Sequence, residues 1–221
     1  MPYFKNESIN LLFIHIPKTG GTSLELYFSK KIEIPLDKNC LCGFFYKERK
    51  ESRETGNKLH NFYLFNNISL QHFTYQNLIE NKDLLKIDFN NLKIITIVRN
   101  PYERLISDLF YYDYIDINSS KEKVFEIINI YLFSFYLDNH NLPQYRFIID
   151  KDEKIINNIS ILKTENLCND MKKLGYEDFD IYDHVNRNGK LNYYDYLNDD
   201  SISLINNFYE KDFLYFNYEK I

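Results

Sequence analysis

Apolar residues along the chain form short unbroken runs, and each run is followed by a set of apolar residues at helical spacing. Residues 11–16, Leu-Leu-Phe-Ile-His-Ile, are such a run and end at Pro17, while residues 92–98 form a second run that ends before Arg99. Continuous apolar runs of this length are typical of strands buried in a parallel sheet. Residues 159–162 predict a further strand of the same kind.

The helix-spaced segments lie between and after these runs. They predict helices over residues 22–31, 101–112, 124–137, 166–174 and 200–209. Strands that alternate with helices predict an α/β fold with a P-loop NTPase-like central parallel β-sheet flanked by helices on both faces. A length of 221 residues, without an evident linker, favours a single domain over residues 1–221.

Composition and charge exclude several classes of protein. The hydrophobic fraction of 44% predicts a packed core rather than disorder, and a net charge of −5 gives no general attraction to nucleic acid or an anionic membrane. Cys40 and Cys42 are too close in sequence to pair well, which argues against a disulfide scaffold. Residues 1–10 lack the pattern of a signal peptide, and the longest apolar stretch, residues 127–137, is too short to span a bilayer. We therefore expect a cytoplasmic protein.

The segment between the first predicted strand and helix contains the strongest candidate site. A loop at this position presents backbone N–H groups and the positive end of a helix, which together favour a phosphate or sulfate. Glycines let the main chain approach the anion, hydroxyls donate hydrogen bonds, and a lysine adds positive charge. The candidate anion ligands are Lys18, Thr19, Gly20, Gly21, Thr22 and Ser23.

This loop differs from an ATP or GTP site of the Walker type, because its lysine precedes the glycines instead of following them. In Walker-type enzymes a second strand tends to end in a metal-binding Asp. Here the strand at residues 92–98 ends in Arg99, a cation that would oppose a metal and attract a second anion. Two anion sites at neighbouring strand ends suit a nucleotide that carries phosphates at two places on its ribose.

Residues 17–23, together with residues 97–107, resemble the PAPS-dependent sulfotransferases (PAPS is 3′-phosphoadenosine 5′-phosphosulfate). The similarity is to the carbohydrate type, which includes the heparan sulfate 2-O-sulfotransferases and many bacterial enzymes of sulfotransferase family 2. It implies that residues 17–23 bind the 5′-phosphosulfate and that Arg99 and Ser107 bind the 3′-phosphate. PAP is then the product, and no metal is required. For Arg104 we keep two readings, a structural salt bridge or contact with the nucleotide.

Two histidine-containing segments resemble the acceptor side of the same family. Residues 71–75 imply that His72 is the general base, and an imidazole with a near-neutral pKa is suited to that task. Residues 140–144 make His140 the rival base and place His140 and Gln144 on the acceptor side. The late polar loop at 183–190 offers Arg187 and Lys190 as nucleotide ligands, although such a loop is also an ordinary solvated connection. His15 and His60 are expected to be structural.

The expected activity is the transfer of a sulfuryl group from PAPS to a hydroxyl, in line, with His72 taking the proton and Lys18 stabilising the leaving phosphate. The expected partner is a hydroxyl acceptor, in the first place a carbohydrate, selected by residues 37–58 and the region around His140. Two alternatives remain at this point. One is a metal-dependent nucleotide kinase, and the other is a nucleotide-binding protein without turnover.

Overall fold

A computed structural model describes residues 3–33, 68–134, 138–180 and 191–221. Its sheet has the order β1-β2-β3-β4, with strands β1 Tyr3–Lys5, β2 Asn10–Ile14, β3 Lys93–Val98 and β4 Ile159–Lys163. Strands β2, β3 and β4 are parallel and confirm the three predicted strands, whereas β1 pairs antiparallel with β2. In the parallel part Ile14 is paired with Thr96 and Val98 with Lys163, so the three carboxyl ends meet at one edge of the sheet.

The described helices are α1 Gly21–Lys31, α2 Tyr75–Glu80, α3 Lys82–Leu85, α4 Pro101–Tyr111, α5 Lys121–Leu132, α6 Leu167–Lys173, α7 Asp199–Phe208 and α8 Glu210–Phe216. Short 3-10 helices span Leu70–His72, Gln144–Phe147, Thr164–Asn166 and Tyr193–Tyr196. The helix predicted over residues 124–137 instead starts at Lys121 and ends at Leu132. It starts earlier because the Ser120 side chain accepts the Lys123 N–H and caps the first turn.

Alternate residues of the strands face opposite layers of the core. Leu12 and Ile14 belong to one buried cluster, which includes residues of the 3-10 helices Leu70–His72 and Gln144–Phe147. Leu11 and Phe13 belong to another cluster, with residues of α1 and α6. The sheet is therefore covered on both faces, as predicted, and burial of each large apolar side chain contributes roughly 1.5 to 3 kcal/mol.

A third cluster joins α4, α5, α7 and α8 beside the sheet. Asp212 on α8 is fully buried, and its carboxylate accepts the backbone N–H groups of Gln144 and Tyr145 at 2.8 and 2.9 Å. Burial raises the pKa of Asp212 to about 6, against the lowering effect of these two hydrogen bonds. Asp212 thereby fastens the 3-10 helix Gln144–Phe147, which lies next to the carboxyl end of β3. Within the described ranges, no helix has the length and apolar character needed to cross a bilayer.

Candidate active site

The loop at residues 17–23 turns sharply from β2 into α1. Lys18 and Gly20 both have positive φ, 65° and 84°, and Gly20 is the residue before the helix. Helix α1 has no side-chain cap and no acidic residue in its first turn. The positive end of the helix therefore keeps backbone N–H groups without a side-chain acceptor, which is the condition for binding an anion. Thr22 is partly buried and Ser23 is buried, in the first turn of the same helix.

Gly21 has no room for a side chain. A Cβ atom at this position would lie 2.8 Å from Nε2 of His15 and 2.9 Å from Cζ of Phe13. The main chain of the loop therefore rests directly on the side chains of β2 and its extension. Thr19 is fully buried, and its hydroxyl donates to the carbonyl of Ile16 at 2.8 Å. The Thr19 hydroxyl is therefore already used, and Thr19 would contact an anion through its backbone N–H.

Arg99, which is predicted to bind the second anion, contacts the loop at residues 17–23. Arg99 follows the last residue of β3, and its Nη1 donates to the carbonyl of Lys18 at 3.3 Å. Burial lowers the pKa of Lys18, Asp108 opposes this effect, and the charge of Arg99 adds to it. The Lys18 ammonium lies 4.2 Å from the centre of the Tyr111 ring. Lys18 and Arg99 therefore stand at the same edge of the sheet.

Arg99 is held in place from two sides. The Gln144 side chain accepts the Arg99 N–H at 2.9 Å and donates to the Arg99 carbonyl at 2.8 Å. The guanidinium pairs with the Glu103 carboxylate at 3.1 Å. Glu103 and Ser107 are four residues apart in α4, so they lie on one side of the helix. Gln144 is fully buried and its side chain positions Arg99, while its contact with the acceptor stays a prediction.

Arg104 and Thr164 connect the loop to the surrounding structure. Arg104 is buried and donates to the carbonyls of Pro17, His140 and Leu142 at 3.0, 2.6 and 3.0 Å. These contacts favour the structural interpretation of Arg104 over contact with the nucleotide. The hydrogen bonds go to backbone carbonyls, however, and not to a carboxylate as in a salt bridge. The Thr164 hydroxyl lies 2.7 Å from the carbonyl of Thr19. These contacts fix the loop relative to the segment that carries His140.

Three buried histidines lie side by side next to the loop. The ring centres of His15 and His72 are 5.6 Å apart, and those of His72 and His140 are 4.8 Å apart. The Nδ1 atom of His72 is 2.8 Å from Asp138, and that of His140 is 2.8 Å from Asp108. Burial lowers the pKa of His72 to about 4, although Asp138 acts in the opposite direction. His72 is therefore neutral near pH 7, as a proton acceptor must be.

His15 is buried, as expected for a structural residue, and pairs with Glu25 at 2.6 Å. The structure adds that its ring touches both His72 and Gly21, so His15 forms part of the support beneath the loop.

Ligand atoms of His72, Asp138 and His140 lie within 4.8 Å of one another, which is close enough to consider a metal ion. The Nδ1 atoms of both histidines, however, already face carboxylate oxygens at hydrogen-bonding distance. We therefore assign these atoms to hydrogen bonds.

Exposed tyrosines surround the outer side of His140. The Tyr111 ring is nearly parallel to that of His140 at 6.0 Å, and Tyr112 meets His140 edge-on at 5.1 Å. Tyr114 stacks on Tyr112 at 5.5 Å. Tyr111 and Tyr114 are exposed to solvent, so this end of α4 offers aromatic faces beside the histidines.

Some predicted site residues fall outside the described part of the chain. These are Arg187, Lys190 and the proposed acceptor-facing stretch at 37–58; His60, which was expected to be structural, also lies outside the described residues. Their roles stay predictions. Conversely, the sequence analysis missed Asp108 and Asp138. A signal existed for Asp108, because it lies four residues after Arg104 on the same side of a predicted helix.

The fold and the site define an α/β protein in which two cationic segments at the strand ends lie beside buried histidines, an arrangement suited to moving an anionic group. Comparison with protein families matches residues 1–219 to the Sulfotransferase family. The match covers nearly the whole chain, and the chain belongs to this family. Enzymes of the family transfer sulfuryl groups, and they generally use PAPS as donor and release PAP. Comparisons with curated proteins and with solved structures find no match.

Proposed function

We propose that this protein transfers a sulfuryl group from PAPS to a hydroxyl group of a carbohydrate. The observation that carries the proposal is the contact between Arg99 and the carbonyl of Lys18, because it joins two separate cationic segments at one edge of the sheet. A nucleotide with a 5′-phosphosulfate and a 3′-phosphate needs positive groups at two places. Membership in the sulfotransferase family supports the same donor.

In the proposed complex the loop at residues 17–23 holds the 5′-phosphosulfate, through backbone N–H groups, Lys18 and the hydroxyls of Thr22 and Ser23. Arg99 and Ser107 hold the 3′-phosphate. Since Glu103 now pairs with the Arg99 guanidinium, phosphate binding requires this partly buried ion pair to rearrange.

The proposed chemistry uses His72 as the base. The acceptor oxygen attacks sulfur and forms the new S–O bond while the bond from sulfur to the 5′-phosphate oxygen breaks. His72 takes the hydroxyl proton, and the electron pair of the broken bond stays on the phosphate. Lys18 and the loop N–H groups stabilise this growing negative charge. His140 remains the rival base, because it is equally buried and is also paired with a carboxylate.

The aromatic residues beside His140 support a carbohydrate acceptor. Tyr111, Tyr112 and Tyr114 lie beside His140, whose ring is next to that of His72, and the flat apolar face of a pyranose can pack against such rings. A phenol could stack there as well, so the acceptor class needs a direct test.

The test is a transfer screen with labelled PAPS against glycans, phenols and peptides, in which Lys18→Ala serves as the blank. We expect label on glycans with the wild type and almost none with the variant. PAP binding without transfer to any acceptor would indicate a nucleotide-binding protein without turnover. Preference for ATP with Mg²⁺ over PAP would indicate a kinase. Transfer should also survive EDTA, because the proposed mechanism uses no metal.

A further inference from the structure

The Asp138 carboxylate contacts both the ring of the proposed base, His72, and the turn that carries it. Its Oδ2 atom lies 2.8 Å from Nδ1 of His72 and accepts the Ser69 hydroxyl at 2.8 Å. Its Oδ1 atom accepts the backbone N–H of Ser69. Ser69 is the residue before the 3-10 helix Leu70–His72, so a single carboxylate binds both the start of this turn and the histidine at its end.

The backbone at Asp138 is strained in a way that serves these contacts. Asp138 and the next residue, Asn139, both adopt positive φ, 49° and 63°. Residues other than glycine pay for this conformation, of the order of 1 to 3 kcal/mol each, and keep it where surrounding contacts require it. Here Asn139 donates from Nδ2 to the backbone carbonyl of His72 at 2.9 Å. The two residues therefore hold His72 by its ring and by its main chain.

The charge of Asp138 decides which nitrogen of His72 carries the proton. Burial acts to raise the pKa of the Asp138 carboxyl, but the hydrogen bonds from His72 and Ser69 outweigh it and keep the pKa below its ordinary value. Asp138 is therefore a carboxylate and can only accept hydrogen bonds. Nδ1 of neutral His72 must then carry the hydrogen, which leaves the lone pair on Nε2.

We propose that Asp138 is a positioning residue that fixes His72 in the Nδ1–H tautomer, so that Nε2 receives the proton of the acceptor hydroxyl. The inference rests on the proposed function. During transfer the acceptor O–H bond breaks as oxygen bonds to sulfur, and the proton moves to Nε2. Asp138 stays ionised and stabilises the imidazolium ring through the Nδ1–H hydrogen bond. The pair thus acts in the way that carboxylate and histidine act together in other group-transfer enzymes.

The neighbouring pair provides an internal comparison. Asp108 binds Nδ1 of His140 through Oδ1 and accepts the Tyr131 hydroxyl on Oδ2. Asp108 would therefore orient the rival base in the same way. Asp138 differs in being partly exposed and in lying on the same strained segment that binds the His72 turn. The matched variants Asp138→Asn and Asp108→Asn separate the two pairs.

The first measurement is the turnover of Asp138→Asn. An asparagine keeps the shape but can offer an N–H to the ring, which favours the wrong tautomer. We expect kcat to fall about 100- to 10,000-fold, while the acceptor KM and the PAP affinity change less than about twofold. Asp116→Asn is the control, because the Asp116 carboxylate accepts the backbone N–H of Asn118 at 2.8 Å on an exposed turn and should leave kcat unchanged.

The second measurement reads the tautomer directly and does not depend on activity. The ¹⁵N NMR spectrum of the His72 ring in the wild type should show a protonated Nδ1 and an unprotonated Nε2. In Asp138→Asn this pattern should be lost or mixed. Because the wild-type spectrum needs no variant, it tests the inference even if Asp138→Asn fails to fold.

The outcomes separate the inference from the function on which it rests. An unchanged kcat in Asp138→Asn, or a wild-type His72 protonated on Nε2, overturns the role of Asp138. A loss of kcat in Asp108→Asn alone also overturns it and assigns the base to His140. The wild type could show the predicted His72 tautomer and yet transfer no sulfate to any acceptor. That result would support the role of Asp138 in orienting the ring and would refute the proposed function.

Discussion

Replacing Gly21 by alanine tests whether the close packing of the loop is what binds the nucleotide. The added Cβ would lie 2.8 Å from Nε2 of His15, whereas atoms in ordinary contact are about 3.5 Å apart, so the loop or the ring must move by about 0.7 Å. The ring has little freedom, because His15 is paired with Glu25 at 2.6 Å and both residues are buried. We therefore expect the loop to move away from His15 rather than the ring to move.

The expected effects have separate magnitudes. Overpacking of this kind lowers the free energy of unfolding by about 1 to 3 kcal/mol. The displaced loop should also lose at least one hydrogen bond to the charged 5′-phosphate, worth about 1.5 to 3 kcal/mol, which raises the Kd for PAP about 10- to 160-fold. Urea unfolding measures the first effect, and titration calorimetry with PAP measures the second.

Gly175→Ala is the control for an added methyl group away from the loop. Gly175 has positive φ, 90°, unlike Gly21, and a Cβ there would meet no atom within 4 Å. The control should lose about 1 to 2 kcal/mol of stability through backbone strain alone and bind PAP as the wild type does. If Gly21→Ala loses stability as expected and yet binds PAP within twofold of the wild type, the loop does not bind the nucleotide by close approach of its backbone.

Three further predictions concern the cations and the base. Lys18→Ala should lower kcat about 100- to 1000-fold with only a modest change in PAPS affinity, because Lys18 stabilises charge that develops during transfer; a variant with normal kcat contradicts this role. Arg99→Ala should weaken PAP binding by about 1.5 to 3 kcal/mol, and calorimetry that finds binding unchanged would falsify the 3′-phosphate assignment. His72 must be neutral to accept a proton, and Asp138, His15 and His140 face it. Because the pKa of His72 is lowered to about 4, kcat/KM should stay level as the pH falls below 6. It should drop only as the pH passes about 4. A drop centred at about 6.5, the ordinary histidine value, would point to a different base.

The sequence predicted the elements that have a clear period. Strands β2 and β3 are buried on both faces and therefore appear as apolar runs, while β4 at the edge of the sheet is only partly buried except at Leu162. Strand β1, Tyr3–Lys5, is too short to show any period, and the same holds for α3, Lys82–Leu85. The sequence also could not show where the helix over Lys121–Leu132 ends, because the apolar character continues past its last turn.

The site divides in a similar way. The loop and Arg99 lie in contiguous motifs, so their residue types and their positions at strand ends were sufficient to predict them. Asp138 is separated from His72 by 66 positions, and no spacing rule connects them. The expectation that Gln144 contacts the acceptor rests on the resemblance of residues 140–144 to a segment of the family that lines the acceptor side. Only the folded chain shows that its side chain is buried against the backbone of Arg99.

The most direct test of the account is a crystal structure with bound PAP. The account predicts the 5′-phosphate at the N-terminus of α1, with loop N–H groups at about 2.7 to 3.2 Å, and the 3′-phosphate in contact with both Arg99 and Ser107. PAP bound elsewhere on the protein, or with its 3′-phosphate away from Arg99, would contradict it.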